Sequence, residues 1–180
     1  MSSWAYTLAL LGLLVVVVLL YVRSLAGRLD RLHVRLEAAE SALDAQLIRR
    51  SAAAAELAYS GVLDPASSLL LADAAHEAQV ASGADLARRE PVESALSSAL
   101  RAAVDEVDVA AVDGSPQAEL LDELRSACQR VQLARRFAND AARATLRLRR
   151  RPLVRRLGLA GHAPWPRVFE IDDAPPPALG

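Results

Sequence analysis

The stretch WAYTLALLGLLVVVVLLYV, residues Trp4 to Val22, contains no charged side chain. As a helix, its nineteen residues rise about 28 Å, close to the roughly 30 Å of a bilayer's hydrocarbon core. Because helical backbone groups bond to one another, lipid leaves none of them unsatisfied. Trp4 and Tyr6 lie at one end and Tyr21 at the other, where aromatic rings favour the membrane interfaces. The sequence therefore predicts a single transmembrane anchor over residues 1–23.

The charges around this stretch predict its orientation. No charged side chain precedes it, whereas four arginines follow at once: Arg23, Arg28, Arg31 and Arg35. Since Lys and Arg favour the cytoplasmic side, we expect the N-terminus outside and the bulk of the chain cytoplasmic, at the cell membrane. A cleaved secretory signal is the alternative. It is disfavoured because a basic n-region is missing and the apolar stretch is long.

Composition limits the possible classes of protein. The chain has 21 positive and 22 negative residues, a net charge of −1, so no global field favours nucleic acid. Aromatic residues make up only 4%, and a core of Leu, Val and Ala suits packed helices better than sheets. Cys128 is the sole cysteine, which excludes an intramolecular disulfide and is typical of a small buried residue.

The remaining chain predicts an all-α fold, an antiparallel four-helix bundle with long coiled-coil-like helices over residues 24–170. Helix one runs to about Ser60. Because it directly follows the anchor, the two can form one continuous helix. The other three are expected at Pro65 to Ala81 after an Asp64 cap, from near Pro91, and from Pro116 to about Arg151. Residues 171–180, with three consecutive prolines, are expected to be a disordered tail.

Apolar side chains recur at steps of three and four along the predicted helices, as packed helices require. Helix one carries Leu25, Leu29, Leu32, Leu36, Ala39 and Leu43, with the stripe resuming at Ala54 and at Leu57 or Ala58. Helix four carries Leu120, Leu124, Ala127, Val131, Ala134, Ala138, Ala141, Thr145 and Leu148. No segment alternates with a period of two, so no strand is predicted.

Seven arginines and no acid lie between residues 143 and 156. If helix four returns towards the membrane, this basic end faces lipid. The candidate lipid-contact residues are Arg147, Arg149, Arg150, Arg151, Arg155 and Arg156. The alternative is a solvated helix face that complements the helix dipole. Binding to nucleic acid is disfavoured because no stacking aromatics accompany the charge.

Several short runs resemble one family. They are Ala45–Arg50 (AQLIRR), Ala134–Arg143 (ARRFANDAAR), Leu157–Gly158–Leu159 and Pro166–Glu170 (PRVFE). Together with the single N-terminal span, they resemble the LemA family of bacterial membrane-anchored helical proteins. The resemblance implies a helical bundle on an anchor and carries over no catalytic residue. The chain departs from the family pattern in lacking a Pro-Asn after Arg50 and aromatic residues near Ala138 and Thr145.

Four polar residues within the ARRFANDAAR run form a second candidate site: Arg135, Arg136, Asn139 and Asp140. Arg136 and Asp140 are four apart and can pair on one helix face. A polar seam that sets helix register is one interpretation, and a contact surface for a partner is the other. Trp165 and Phe169 are expected to dock on the bundle or to serve as a linear motif.

The sequence predicts no metal, cofactor or catalytic residue. His33, His76 and His162 are dispersed, and His76–Glu77 lacks the second histidine of H-E-x-x-H. The leading hypothesis is a non-enzymatic scaffold or protein-interaction module that binds an unknown protein partner. A self-associating structural protein, with the helix-one seam pairing between chains, is the alternative. A metal-dependent hydrolase is the remote one, since no nucleophile–base set is visible.

Overall fold

A computed structural model describes residues 3–83, 86–105, 107, 114–161 and 163–179. Within these ranges the chain is all-helical and contains no strand, as the sequence predicts. The elements are α1 (Ser3–Tyr59), α2 (Pro65–Val80), α3 (Leu86–Asp105), α4 (Pro116–Arg149), α5 (Pro152–Arg156) and a short 3₁₀ helix, η1 (Pro177–Leu179). The described residues thus contain five α-helices, one more than the sequence predicts.

The fifth helix arises from a proline. The residue before a proline avoids the helical region, and Arg151 accordingly has an extended backbone with ψ 135°. Pro152 then begins α5, since its fixed φ suits a first helical position. Helix α5 therefore lies beyond the predicted end of helix four, at about Arg151, and is an additional helix that the sequence analysis did not predict.

The N-terminal apolar stretch and the first bundle helix form one helix of 57 residues. Its apolar part has a mean hydropathy of 2.6 and is long enough to cross a membrane. The side chains from Leu8 to Leu20 that are large and apolar are all at least half exposed. A helix that is apolar on every side and packs against nothing is typical of a membrane span.

The helix ends follow local chemistry, with one correction. Asp64 caps α2 as predicted, since its Oδ1 accepts from the backbone N–H of Ala66 at 2.9 Å and of Ser67 at 3.3 Å. Helix α3, however, begins at Leu86, and Pro91 lies inside it. The additional turn carries Arg89, which pairs with Glu93 one turn later. That ion pair compensates in part for the backbone bond that Pro91 cannot make.

The chain divides into two compact units, a finer division than the predicted domain 24–170. The first unit is Met1–Glu37 with Ala141–Arg167, and the second is Ala38–Asp140 with Val168–Gly180. In the first unit, Leu25 and Leu29 of α1 form a buried cluster with Leu148 of α4 and Val154 of α5.

The second unit has two buried clusters. The larger one draws on four helices and the chain end, with Leu57, Leu71, Leu100, Leu124 and Leu179 among its members. The smaller cluster contains Leu43, Leu47, Val131, Ala138 and Phe169. The stripes that the sequence predicts for helices one and four supply Leu43, Leu57, Leu124, Val131 and Ala138 to these clusters. Leu121, rather than Leu120, is buried at the start of α4.

The expected disordered tail differs from the structure over residues 171–179. Leu179 is buried in the larger cluster, and Ile171 packs against the smaller one. Asp172 and Asp173 form ion pairs with Arg101 and Arg135. Composition suggested disorder because it could not reveal these partners, which are distant in sequence. We call residues 168–179 the C-terminal strap.

Candidate functional site

The arginine-rich segment lies beside the base of the apolar stretch. Leu25, which packs with Leu148 and Val154, is three residues after Val22, or about 4.5 Å along the helix axis. The side chains around Val154 are exposed and basic: Arg150, Arg151, Arg155 and Arg156. Packing inside the first unit therefore brings α5 and its arginines beside the part of α1 that directly follows the apolar stretch.

Two apolar side chains accompany these arginines. Leu153 is 46% exposed and Leu157 is 50% exposed, on either side of buried Val154. Exposed leucines between exposed arginines are typical of surfaces that lie in the membrane interface, with the apolar groups in the acyl region and the charges at the headgroups.

Arg149 was wrongly included among the lipid-contact residues. It is only 5% exposed, and its guanidinium donates to the carbonyl of Pro164 and, at 2.8 Å, to that of Ala163. Its guanidinium carbon lies 4.5 Å from the centre of the Trp165 ring, a cation–π contact. Arg149 thus fixes the segment after α5. Arg147, in contrast, is exposed as expected.

The four residues of the predicted polar seam divide into two that bind the C-terminal segment of the chain and two that are exposed. Arg135 binds both carboxylate oxygens of Asp173, at 2.7 and 2.9 Å, and Asn139 exchanges two hydrogen bonds with the backbone of Phe169, at 2.8 and 3.0 Å. Arg136 and Asp140 are exposed. Half of the seam therefore holds the C-terminal strap, and Phe169 docks on the helices as predicted.

Two arginines, one from α3 and one from α4, hold the rest of the strap. Arg101 pairs with Asp172 at 2.6 Å, and Arg125 donates to the carbonyl of Leu179 at 2.7 Å. The hydrogen bond from Arg101, followed by the Ala174 N–H, lowers the pKa of Asp172. Charged side chains, together with the buried Phe169 and Leu179, thus bind the strap along its length.

A buried ionic network escaped the sequence analysis. Arg50 is 2% exposed and donates to Oε2 of Glu93 at 2.7 Å and to Ser97 at 2.9 Å. Arg89 donates to Oε1 of Glu93 at 3.2 Å and also pairs with Asp44. Two guanidiniums and two carboxylates therefore neutralise one another inside the second unit.

A sequence signal for this network existed. Arg50 continues the apolar stripe of α1, since Leu43, Leu47, Arg50, Ala54 and Leu57 follow one another at steps of four and three. A charge at a core position needs a partner, and Glu93 supplies it. Two of the network's nitrogens, Nε of Arg50 and Nη2 of Arg89, are buried without a protein acceptor. Such networks are used to specify which helices pair.

The remaining polar candidates offer little chemistry. Cys128 is buried, and burial raises the pKa of its thiol, which disfavours the reactive thiolate. His76 and Glu77 line a surface pocket of about 470 Å³ with Arg88. Among the residues that the structure describes, no three His, Cys, Asp or Glu side chains could hold a metal ion. His162 lies outside those residues.

An apolar groove lies between α1 and α4 in the second unit. It has a volume of about 230 Å³ and is lined by Ala39, Ala42, Gln46, Arg130, Leu133, Ala134 and Phe137. No protein-family model, curated protein or solved structure matches this chain.

Proposed function

We propose that this chain is a non-enzymatic, membrane-anchored scaffold or protein-interaction module that contacts anionic lipid with its arginine-rich end. The observation that carries the proposal is the packing of Leu25 against Leu148 and Val154. This contact ties α5 to the helix that contains the candidate span. Each arginine near an anionic bilayer contributes roughly 1 kcal/mol, so four of them can hold the first unit against the surface.

The orientation follows from the same charges. Arg23, Arg28 and Arg31 of α1 and the arginines of α5 all lie on the same side of the apolar stretch. Positive charge close to a span favours the cytoplasmic side, where anionic lipids also concentrate. We therefore propose that the N-terminus lies outside and that the chain after Val22 lies in the cytoplasm.

A scaffold role suits the second unit. We propose that helices α1 to α4 form an antiparallel bundle, since their connections are short and their buried faces share clusters. The charged side chains of its interior pair with one another, and no nucleophile with an adjacent base stands out among the described residues. The similarity of Ala134–Arg143 to the LemA motif supports the same interpretation.

Self-association through the helix-one seam is the weaker proposal. That seam would have to be exposed to pair between chains. Leu25 and Leu29 instead pack inside the first unit, and Leu43, Leu47 and Leu57 pack inside the second. We therefore favour a different protein as the partner.

The lipid proposal can be tested on the full chain in nanodiscs with a photoactivatable phosphatidylglycerol. We expect strong cross-linking to the wild-type chain. The combined substitution of Arg150, Arg151, Arg155 and Arg156 by Gln should reduce it several-fold, because these side chains are exposed and can be changed without disturbing the core.

A matched control changes three exposed arginines of the second unit, Arg49→Gln, Arg88→Gln and Arg136→Gln. If lipid contact depends on where the arginines lie and not on the total charge of the chain, this variant should cross-link to lipid as strongly as the wild type. Equal loss in both variants, or no loss in either, would contradict the proposed lipid contact.

A further inference from the structure

The groove between α1 and α4 combines small side chains with large exposed ones. Ala39, Ala42 and Ala134 form part of its lining, and Leu133 and Phe137 stand beside them. Leu133 is 53% exposed and Phe137 is 57% exposed, although both belong to α4, which contributes buried side chains to all three clusters. Small residues next to a large pair one helical turn apart give a surface on which a second helix can approach closely.

These two side chains are exceptions on their helix. Apart from Pro116 at its first position, the other exposed residues of α4 are all polar or charged. They are Glu119, Asp122, Glu123, Gln129, Arg136, Asp140, Arg143 and Arg147. An isolated exposed leucine needs no explanation, but an exposed Leu–Phe pair at the edge of an apolar groove marks an interaction site.

One end of the groove contains polar atoms that lack partners. Oε1 of Gln46 and Nε of Arg130 are both buried and have no hydrogen bond within the protein. Arg130 uses its Nη2 to bind Glu123 at 2.9 Å. Arg49 is exposed three residues after Gln46, on the neighbouring turn of α1. This end of the groove therefore carries two guanidiniums, that of the exposed Arg49 and that of Arg130, which Glu123 pairs on one side only.

From these observations we infer that the groove binds an amphipathic helix of a second protein. Apolar side chains of that helix pack between Leu133 and Phe137 over the alanines. An Asp or Glu about one turn away faces the exposed Arg49 and the guanidinium of Arg130, whose side chain is 38% exposed. The arrangement is a helix-in-groove interface, with the carboxylate setting the direction of the bound helix. This inference rests on the proposed scaffold function and names the surface and the partner's chemistry.

The dimensions of the groove favour a helix over a small molecule. From Arg130 to Phe137 is seven residues, about 10 Å or two helical turns. A volume of about 230 Å³ lies below the roughly 300–1,000 Å³ of typical ligand pockets. It is sufficient for a few side chains of a helix whose remaining surface stays in water.

The test uses the full chain in its native membrane, with the photo-reactive residue benzoylphenylalanine in place of Phe137. The cross-linked peptide is then sequenced by mass spectrometry. We expect a segment of another protein that has apolar residues at helical spacing and an acid within one turn of them. A cross-link to a second copy of this chain, to lipid alone, or to nothing would overturn the inference.

The charge requirement is tested separately. Arg130→Glu, combined with the Phe137 probe, should reduce the cross-link about tenfold, the loss expected for a central charged contact. Replacing the partner's acid by Arg should then restore it. A cross-link that ignores both changes would overturn the predicted polarity.

Two controls keep the result interpretable. The same probe at Ile48, which is exposed on α1 but does not line the groove, should give no such product. Helix content and thermal unfolding of each variant show that it is folded. Loss of the groove cross-link with normal lipid cross-linking would reject this inference alone, whereas loss of lipid cross-linking with an intact groove product would reject only the lipid contact.

Discussion

Arg50 of α1 and Glu93 of α3 form an ion pair of 2.7 Å in the interior of the second unit, with side chains 2% and 1% exposed. The two residues are 43 positions apart, and Arg89 and Ser97 add further hydrogen bonds to them. Desolvating two charges costs several kcal/mol each, and direct contact with good hydrogen bonding offsets that cost. The pair therefore contributes more to selecting one arrangement of α1 and α3 than to raising the free energy of unfolding.

This relationship predicts how the pair responds to substitution. Glu93→Gln alone should lower the free energy of unfolding by about 3–5 kcal/mol, because it leaves the buried Arg50 without its carboxylate partner. Arg50→Met should cost less, because Glu93 still pairs with Arg89. The double variant Arg50→Met/Glu93→Leu should recover most of the loss caused by Glu93→Gln. Circular dichroism during thermal unfolding in detergent measures the effect, and a double variant as unstable as Glu93→Gln would contradict it.

Asn139 should be required to hold the C-terminal strap. It exchanges two hydrogen bonds with the Phe169 backbone, so Asn139→Ala leaves a buried N–H and C=O unpaired, at a cost of about 1–3 kcal/mol each. We expect limited proteolysis to cut the strap faster in this variant. Arg136→Gln, three residues away and exposed, is the control and should leave the rate unchanged.

The strap should also loosen in acid. Arg101 lowers the pKa of Asp172, so this carboxylate stabilises the folded state above its unfolded pKa of about 3.9. That contribution is lost as the pH falls through the lowered folded pKa. Melting temperatures below about pH 5 should therefore fall more steeply in wild type than in Asp172→Asn. Parallel curves for the two proteins would show that the pair with Arg101 adds no stability.

Arg149 and Arg150 are adjacent in sequence but should behave differently. Arg149→Gln removes buried hydrogen bonds to two carbonyls and the contact with Trp165, and should cost about 2–3 kcal/mol. Arg150→Gln, at an exposed position, should change stability by less than about 0.5 kcal/mol. Thermal unfolding compares them, and similar losses would mean that Arg149 is not structural.

The membrane orientation can be measured with a single engineered cysteine. In a Cys128→Ser background, Ala45→Cys places a thiol at an exposed position of α1. A membrane-impermeant maleimide should label it only after cells are permeabilised. Labelling in intact cells would place this part of the chain outside and overturn the cytoplasmic assignment.

Several features of this chain could be predicted from local sequence alone. The uncharged stretch Trp4–Val22 predicts a long apolar helix. A single segment in lipid can pair all of its backbone groups internally only as a helix, and nineteen residues are enough to span the hydrocarbon core. Asp64–Pro65 marks the beginning of α2, and the three- and four-residue spacing of leucines identifies the buried faces of α1 and α4. These features depend on neighbours within one or two turns, so no tertiary information is needed to infer them.

The tertiary structure decided which charges are used in the interior and which remain in solvent. Arg149 and Arg150 are chemically equivalent in sequence, and Arg50 looks like any other arginine until Glu93 is brought beside it. The strap follows the same rule, since Asp172 and Asp173 find their arginines on distant helices. The physical reason is that a charge becomes stable in the interior only when folding supplies its partner, and that partner is set by the packing of whole helices.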